Sequence, residues 1–443
     1  MNTQNELRRR NQMDLLWDFC CFVTVLCSLG FPGNYERFFP GVIRTLFQYG
    51  PFLLQIVLML LSSGDSFLDI KLIDFKKIYL PVYVMLAVWF AVSMMSTRFP
   101  REELIACVRF SVTAIFALWM VDKYDIYHMI EICYFACLAM MLFTLIALVI
   151  MPGTSFSYEA GVKTFCGLYT TKNPCASELS IGLIINTLML SACMEKTHPL
   201  PRFYAASWVL HICFLILCKA TGAIFSALIP IFYLIYMQRT GGNKLRLQLG
   251  ILYIGASVGF LFSALTILPI FAPLLEAIGK DATLTNRTPM WQQLINVMTY
   301  NNTMTGFGFA MFWKDPQAVA LFHSGFSKGS WGNTMTFGAH NTLLEIWLDV
   351  GLLGLTAYFG MLIMAFRHPG RIGRIEYEFC SGYIIWQMIK GLTERSYIPF
   401  NYQTLFLFLC VGIGLSAQSP QIKQKIRRYG QQDPPTAPRI AKE

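Results

Sequence analysis

The sequence predicts an all-α polytopic membrane protein, with about 12 transmembrane helices and one long, partly helical outer loop. Three observations predict this class. The 443 residues are 55% hydrophobic and only 14% charged, whereas a soluble domain carries about 25% charged residues. Apolar windows of the length a bilayer core requires, about 20 residues, recur along the whole chain. Lys and Arg concentrate in alternate connections, as the positive-inside rule demands.

Taken in order, the windows lie near 15–31, 43–61, 78–96, 104–121, 129–151, 179–194, 203–218, 220–237, 247–268, 347–366, 376–391 and 398–417. The first follows Arg8, Arg9 and Arg10, like the n-region of a signal peptide. No convincing small-x-small cleavage site comes after it, so it reads as an uncleaved first helix. The chain then divides into helices one to nine with short loops (1–268), a long outer loop (269–342), helices ten to twelve (343–417) and a polar, Pro-rich tail (418–443). The tail is expected to be disordered and cytoplasmic.

With the N-terminus cytoplasmic, the inside connections hold Lys71, Lys76, Lys77, Lys123, Lys196, Arg202, Arg239, Lys244, Arg246, Arg367, Arg371 and Arg374, and the tail holds Lys423, Lys425, Arg427 and Arg428. An even number of spans returns the tail to this basic side. The net charge of +10 then marks the cytoplasmic face and its anionic lipid, and no nucleic-acid partner is implied. The outward cations break the rule: Arg37, Arg44, Arg98, Arg101, Lys163, Lys172, Lys219, Lys280, Arg287, Lys314, Lys328, Lys390 and Arg395. Such a cluster suits an anionic substrate at the outer leaflet.

The 13 cysteines include no CxxC and no zinc spacing, and most fall in spans, where Cys is a small hydrophobe. Cys166 and Cys175 share an outer connection, 152–178, where a disulfide and two free thiols are both open. Of the six histidines only His323 and His340 fall outside.

Residues 269–342 form the one long hydrophilic stretch between spans, and loops of that length are functional or disordered. Within it, Asn286-Arg287-Thr288-Pro289 precedes MWQQLINVMTY. Thr288 suits the cap and Pro289 the first turn of a helix. Arg287 then stands beside free backbone N–H groups at the positive end of a helix dipole, a ready anion site. A plain capped amphipathic helix with a solvent Arg is the alternative. After the helix, Gly306 and Gly308 let the backbone turn within TGFGFAMFW, whose aromatics suit sugar stacking or the interface belt.

These residues resemble the O-antigen ligase and Wzy-type polysaccharide polymerase family. The likeness lies in NRTPMWQQLINVMTYNNTMTGFGFAMFW followed by AHNTLLEIWLDVGLLGL, and less specifically in Gly167-Leu168-Tyr169-Thr170-Thr171-Lys172-Asn173. It covers roughly 165–366. The family has Gly before the loop Arg, where this chain has Asn286. It often has Ser-Arg near residue 220, where this chain has Cys218-Lys219-Ala220. Lys219 would replace a bidentate fork with a point charge.

The resemblance implies a metal-independent, inverting glycosyltransferase. It would move a glycan from undecaprenyl pyrophosphate to an acceptor hydroxyl outside the inner membrane. Arg287, Lys219 and Lys172 would bind the pyrophosphate and stabilise its growing charge, and His340 would be the general base, since imidazole titrates near 6.5 in solution. No cofactor is implied, and no DxD motif of metal-using oligosaccharyltransferases occurs. Asn341, Glu345 and Asp349 recur every four residues on one helix face. Acids inside a span default to functional suspects, so Glu345 or Asp349 pairs with an outer Arg, orients His340, or hydrogen-bonds a neighbouring helix; Arg109 is similarly ambiguous. His323 lies in a Gly/Ser-rich stretch and is not expected to act.

The reading favoured is a polymerase of lipid-linked repeat units for an O-antigen or exopolysaccharide. Alternatives are a ligase onto lipid A–core, an O-oligosaccharyltransferase to protein, and, from another class, a secondary transporter. A transporter would show internal repeats, and the two halves show none. Expected partners are the lipid-linked donor, a glycan acceptor, the bilayer, a flippase and a chain-length regulator.

Overall fold

The computed structural model describes residues 2–30, 41–62, 76–96, 98–159, 162–196, 201–240, 246–271, 273, 287–325, 338–395 and 401–418. The expected disordered tail, Asn286, Lys280 and Lys328 lie outside them. Among the described residues the chain is a bundle of helices: α1 (Asn2–Ser28), α2 (Gly41–Ser62), α3 (Leu80–Ser96), α4 (Pro100–Lys123), α5 (Ile126–Ile150), α6 (Lys172–Lys196), α7 (Pro201–Leu217), α8 (Thr221–Arg239), α9 (Leu249–Thr266), α10 (Arg287–Tyr300), α11 (Pro316–Gly325), α12 (Thr342–Phe366), α13 (Arg374–Thr393) and α14 (Tyr402–Ser416). One antiparallel hairpin joins β1 (Phe156–Glu159) to β2 (Val162–Phe165), with Phe156 opposite Phe165.

Each of the twelve predicted windows falls on a helix. Seven of these helices are long and apolar enough to cross a membrane, and the other five windows are shorter or more polar. Among the described residues, length and hydropathy thus support seven of the twelve expected spans. The others fall short by length or charge: α14 has 15 residues, about 22 Å at 1.5 Å per residue, all of them buried, and α13 carries Arg374, Glu376, Glu378 and Lys390. Of the apolar window of α6, 83% is buried, against 28% for that of α9, so α6 is central and α9 peripheral.

Local signals set the helix starts. Asp125 accepts from the N–H groups of Tyr127 and His128 to cap α5, Asn341 caps α12 through Leu344 N–H, and Asn401 caps α14 through Thr404 N–H, each satisfying a donor the helix leaves open. Helices α8 and α9 pack on α13, α3 and α9 on α12, and α4 on α14.

The described part of the long loop is folded. Trp291, Leu294 and Met298 of α10 join Phe307, Phe312, Phe322 and Ala339 in a core of their own, which rests on Leu344 and Leu348 of α12. Helix α12 is broken at Gly351, whose φ is +64°. The loop threads that break. Leu352 and Leu353 donate to the carbonyls of Thr303 and Met304, and Phe307 and Gly308 donate to those of Leu348 and Asp349, at 2.8–3.1 Å. The buried groups among these, of Phe307, Leu348 and Asp349, would otherwise be unpaired at a cost of about 1–3 kcal/mol each. Gly306 is required here, because a Cβ would lie 2.6 Å from the Asp349 carbonyl oxygen.

At the opposite end of the bundle, Tyr79 donates to Asp122 at 2.9 Å and Lys76 pairs with Asp122 at 2.8 Å. Arg246 caps the 369–372 turn through the Pro369 and Ile372 carbonyls. These cations belong to the set the sequence assigns to the cytoplasm.

Candidate active site

Four chain segments meet at the other end, around Glu394, one residue past α13. Its carboxylate receives Arg287 Nη2 at 3.4 Å and Asn173 Nδ2 at 3.4 Å on Oε1, and His340 Nδ1 at 3.3 Å on Oε2. Arg287, His340 and Glu394 are about one-fifth exposed, at 20, 21 and 19%, so solvent or a substrate reaches each. Arg287 also donates to the Thr393 carbonyl at 2.7 Å. Burial would raise the Glu394 carboxyl, but the His340 hydrogen bond and the charges of Lys390, His340 and Arg287 outweigh it and hold it down at about 2. Glu394 is thus an anion at neutral pH, in place to take up positive charge on His340.

Each partner is placed by its element. Arg287 opens α10, two residues earlier than the sequence reading has it, so Thr288 lies inside the first turn rather than at the cap. His340 precedes the cap of α12 with φ +48°, a conformation non-glycine residues rarely adopt. Asn341 fixes the junction twice, capping α12 and donating from Nδ2 to the Leu392 carbonyl at 3.1 Å. Thr342 donates to the Glu394 carbonyl at 3.1 Å. The starts of α6 and α12 and the end of α13 are thereby tied together.

Glu345 pairs with an outer Arg, one of the three readings open for an acid on this face. Its Oε2 accepts from Ala339 N–H, next to His340, at 2.6 Å. Its Oε1 lies 3.0 Å from Arg395 Nε, next to Glu394, an ion pair without hydrogen-bond alignment. Asp349 is buried below, accepting from Ala310 N–H. Glu103 of α4 accepts from Phe309 N–H at 2.6 Å.

Lys172 opens α6, one residue before Asn173. Lys219 is brought to this end but not onto Glu394. It is exposed, in the turn between α7 and α8 with φ +53°, and that turn touches α6 through Cys218 Sγ, 3.8 Å from Cys175 Sγ. Among the described residues only Lys219, Ala310 and His340 are non-glycine residues with positive φ, and such strain gathers at functional sites. Cys166 and Cys175 are not bridged to each other, and the Cys166 thiol donates to the Thr154 carbonyl. His323 corrects the sequence reading: within the long loop it lies on helix α11, not in an irregular Gly/Ser-rich stretch. Asp315 starts that helix by accepting from Gln317 N–H, and PQAVALF carries it.

Sequence reasoning missed Glu394 and the role of Asn173. One signal was available: Glu394 is the lone acid between Glu378 and Asp433, set between two cations that break the positive-inside rule, Lys390 and Arg395. Among the described residues, no group of three His, Cys, Asp or Glu gathers as a metal site.

Comparison with known proteins follows the same segment. Residues 206–359 match the family model described as O-antigen ligase. The exopolysaccharide production protein ExoQ of Rhizobium meliloti (strain 1021) is 28% identical over 220 residues, covering 46% of this chain and 48% of that relative. The chain thus spans about half the length of the curated relative it matches. Both comparisons support the O-antigen ligase and Wzy-type family, and among the described residues seven helices are long and apolar enough to cross a membrane.

Proposed function

We propose, for a chain with an O-antigen ligase family segment at 206–359, that it is an inverting glycosyltransferase of the inner membrane. It moves a glycan from undecaprenyl pyrophosphate to an acceptor hydroxyl at the periplasmic face, polymerising repeat units of an exopolysaccharide or O-antigen. The observation that carries this reading is the single carboxylate, Glu394, joining His340 to Arg287. A base and a diphosphate-binding cation stand on one anchor, as the two halves of such a displacement require.

In this reaction His340 takes the proton of the acceptor hydroxyl as its oxygen attacks the anomeric carbon. The bond from that carbon to the diphosphate oxygen breaks, and the lipid diphosphate leaves with one more negative charge. Arg287 offsets that charge, helped by Lys219 and Lys172, and Glu394 stabilises the imidazolium. Direct displacement inverts the anomeric centre. The chemistry needs no metal, because basic residues supply the electrostatic help. Basic residues at the opposite end favour a cytoplasmic placement of both termini.

The printed name of ExoQ, an exopolysaccharide production protein, supports exopolysaccharide as the class of product. A strain lacking this protein separates the readings. A polymerase leaves lipid-linked single repeats and no polymer; a ligase leaves lipid-linked polymer and uncapped lipid A–core. Loss of an unmodified solute's flux, with glycan unchanged, contradicts the proposal and identifies a transporter.

A further inference from the structure

Lys390 lies in the last turn of α13, four residues before Glu394. It is 7% exposed, and no ion pair or side-chain hydrogen bond holds its ammonium among the described residues. The charges that act on it are those of Glu394 and Arg287. A buried ammonium without a close anion is expensive, because nothing replaces the water it has lost. Glu394 is no full remedy, since its carboxylate already serves Arg287, His340 and Asn173. Those contacts are 3.3–3.4 Å long, whereas settled charge-assisted bonds are about 2.7–2.9 Å. The cluster therefore holds more cation than its one carboxylate satisfies, and its bonds are loose enough to re-form around an entering anion.

We infer that Lys390 is a further diphosphate-binding residue, gripping the lipid donor's pyrophosphate together with Arg287. This rests on the proposed donor. The two side chains divide the work by their chemistry. The Arg287 fork suits paired oxygens of one phosphate, and the Lys390 point charge follows whichever oxygen carries most charge. Their place fits a lipid-borne group as well: α13 ends here, so a prenyl tail lying along the bundle brings its diphosphate to this depth.

The test uses the full chain in lipid nanodiscs, with geranylgeranyl diphosphate and inorganic pyrophosphate as probes, and the variants Lys390→Met, Lys390→Arg and Arg287→Ala. Without ligand, Lys390→Met melts higher than wild type, because an unpartnered buried charge is gone. Its affinity for geranylgeranyl diphosphate falls at least tenfold, and Lys390→Arg keeps most of it. A purely structural lysine gives the opposite sign, a lower melting temperature with affinity unchanged, and that result overturns the inference. Should methionine prevent insertion, Lys390→Gln takes its place with the same expectations. If Arg287→Ala weakens binding and Lys390→Met does not, Lys390 alone is wrong. If neither weakens it, or wild type binds neither probe, the donor reading fails too. Equal affinity for inorganic pyrophosphate, lost equally in Lys390→Met, supports the inference and assigns recognition to the diphosphate rather than the lipid.

Discussion

Two acid clusters stand side by side at one end of the bundle, and they bind different kinds of partner. Glu394 collects side chains, Arg287, His340 and Asn173, at 3.3–3.4 Å. Glu345 and Glu103 accept from backbone N–H groups, of Ala339 and Phe309, at 2.6 Å, and Glu345 pairs in addition with Arg395 on its other oxygen. Side-chain bonds of the first length can be exchanged for a substrate. Short bonds to backbone hold loops in place and cannot be exchanged without moving the chain. On the proposed function the first cluster carries the chemistry and the second keeps it still, although both are acids at helix ends in one small region.

The comparison breaks first at Arg287. Arg287→Ala should cost about 10²–10³-fold in transfer, as loss of a charge-stabilising donor does, with insertion and folding retained. Arg287→Lys should recover little, because a fork becomes a point charge. Near-full activity in Arg287→Ala, read as polymer in cells, removes Arg287 from the chemistry.

Glu345→Ala should act on stability before rate. Breaking a buried ion pair costs roughly 3–5 kcal/mol, less here because Arg395 is 29% exposed. A melting temperature lowered by several degrees, with Glu345→Gln restoring part of it, fits a frame. Unchanged melting with lost transfer would move Glu345 into the first cluster.

Smaller again is the acid response. The Glu394 carboxyl is held at about 2 in the folded protein, against about 4.3 for a free Glu. A depressed carboxyl contributes stability fully above the unfolded value and loses it as pH falls toward 2. Acid melting of Glu394→Gln should therefore be flatter than wild type across that window. His323→Ala, on a helix away from Glu394, should leave transfer within about twofold of wild type; a drop of tenfold or more would put a second histidine in the reaction.

Much of this arrangement was legible in the sequence. Periodicity and hydropathy place a helix on every predicted window, because lipid and core demand the same apolar runs. The motif residues Arg287, His340 and Asn341 and the opening of α6 are brought together as separate pieces of one junction. Glu394 was illegible as a partner, because a carboxylate 54 residues beyond His340 meets it only through the pairing of α12 with α13. The break at Gly351 was hidden for a similar reason. Its freed backbone groups are satisfied by residues 303–308, and a distant segment leaves no local trace. His323 was misread because the Gly/Ser run after it drew attention from the helix-forming PQAVALF before it.

The central claim is that His340, held through Nδ1 by Glu394, takes the acceptor's proton. Transfer by purified His340→Gln, with a lipid-linked oligosaccharide donor at neutral pH, tests it most directly. Glutamine keeps a hydrogen-bonding side chain but cannot accept the proton. The account predicts a loss of about 10²–10⁴-fold, the usual worth of general-base help, with donor binding intact. Retention of most of the wild-type rate would contradict it and leave His340 as a residue that only positions the acceptor.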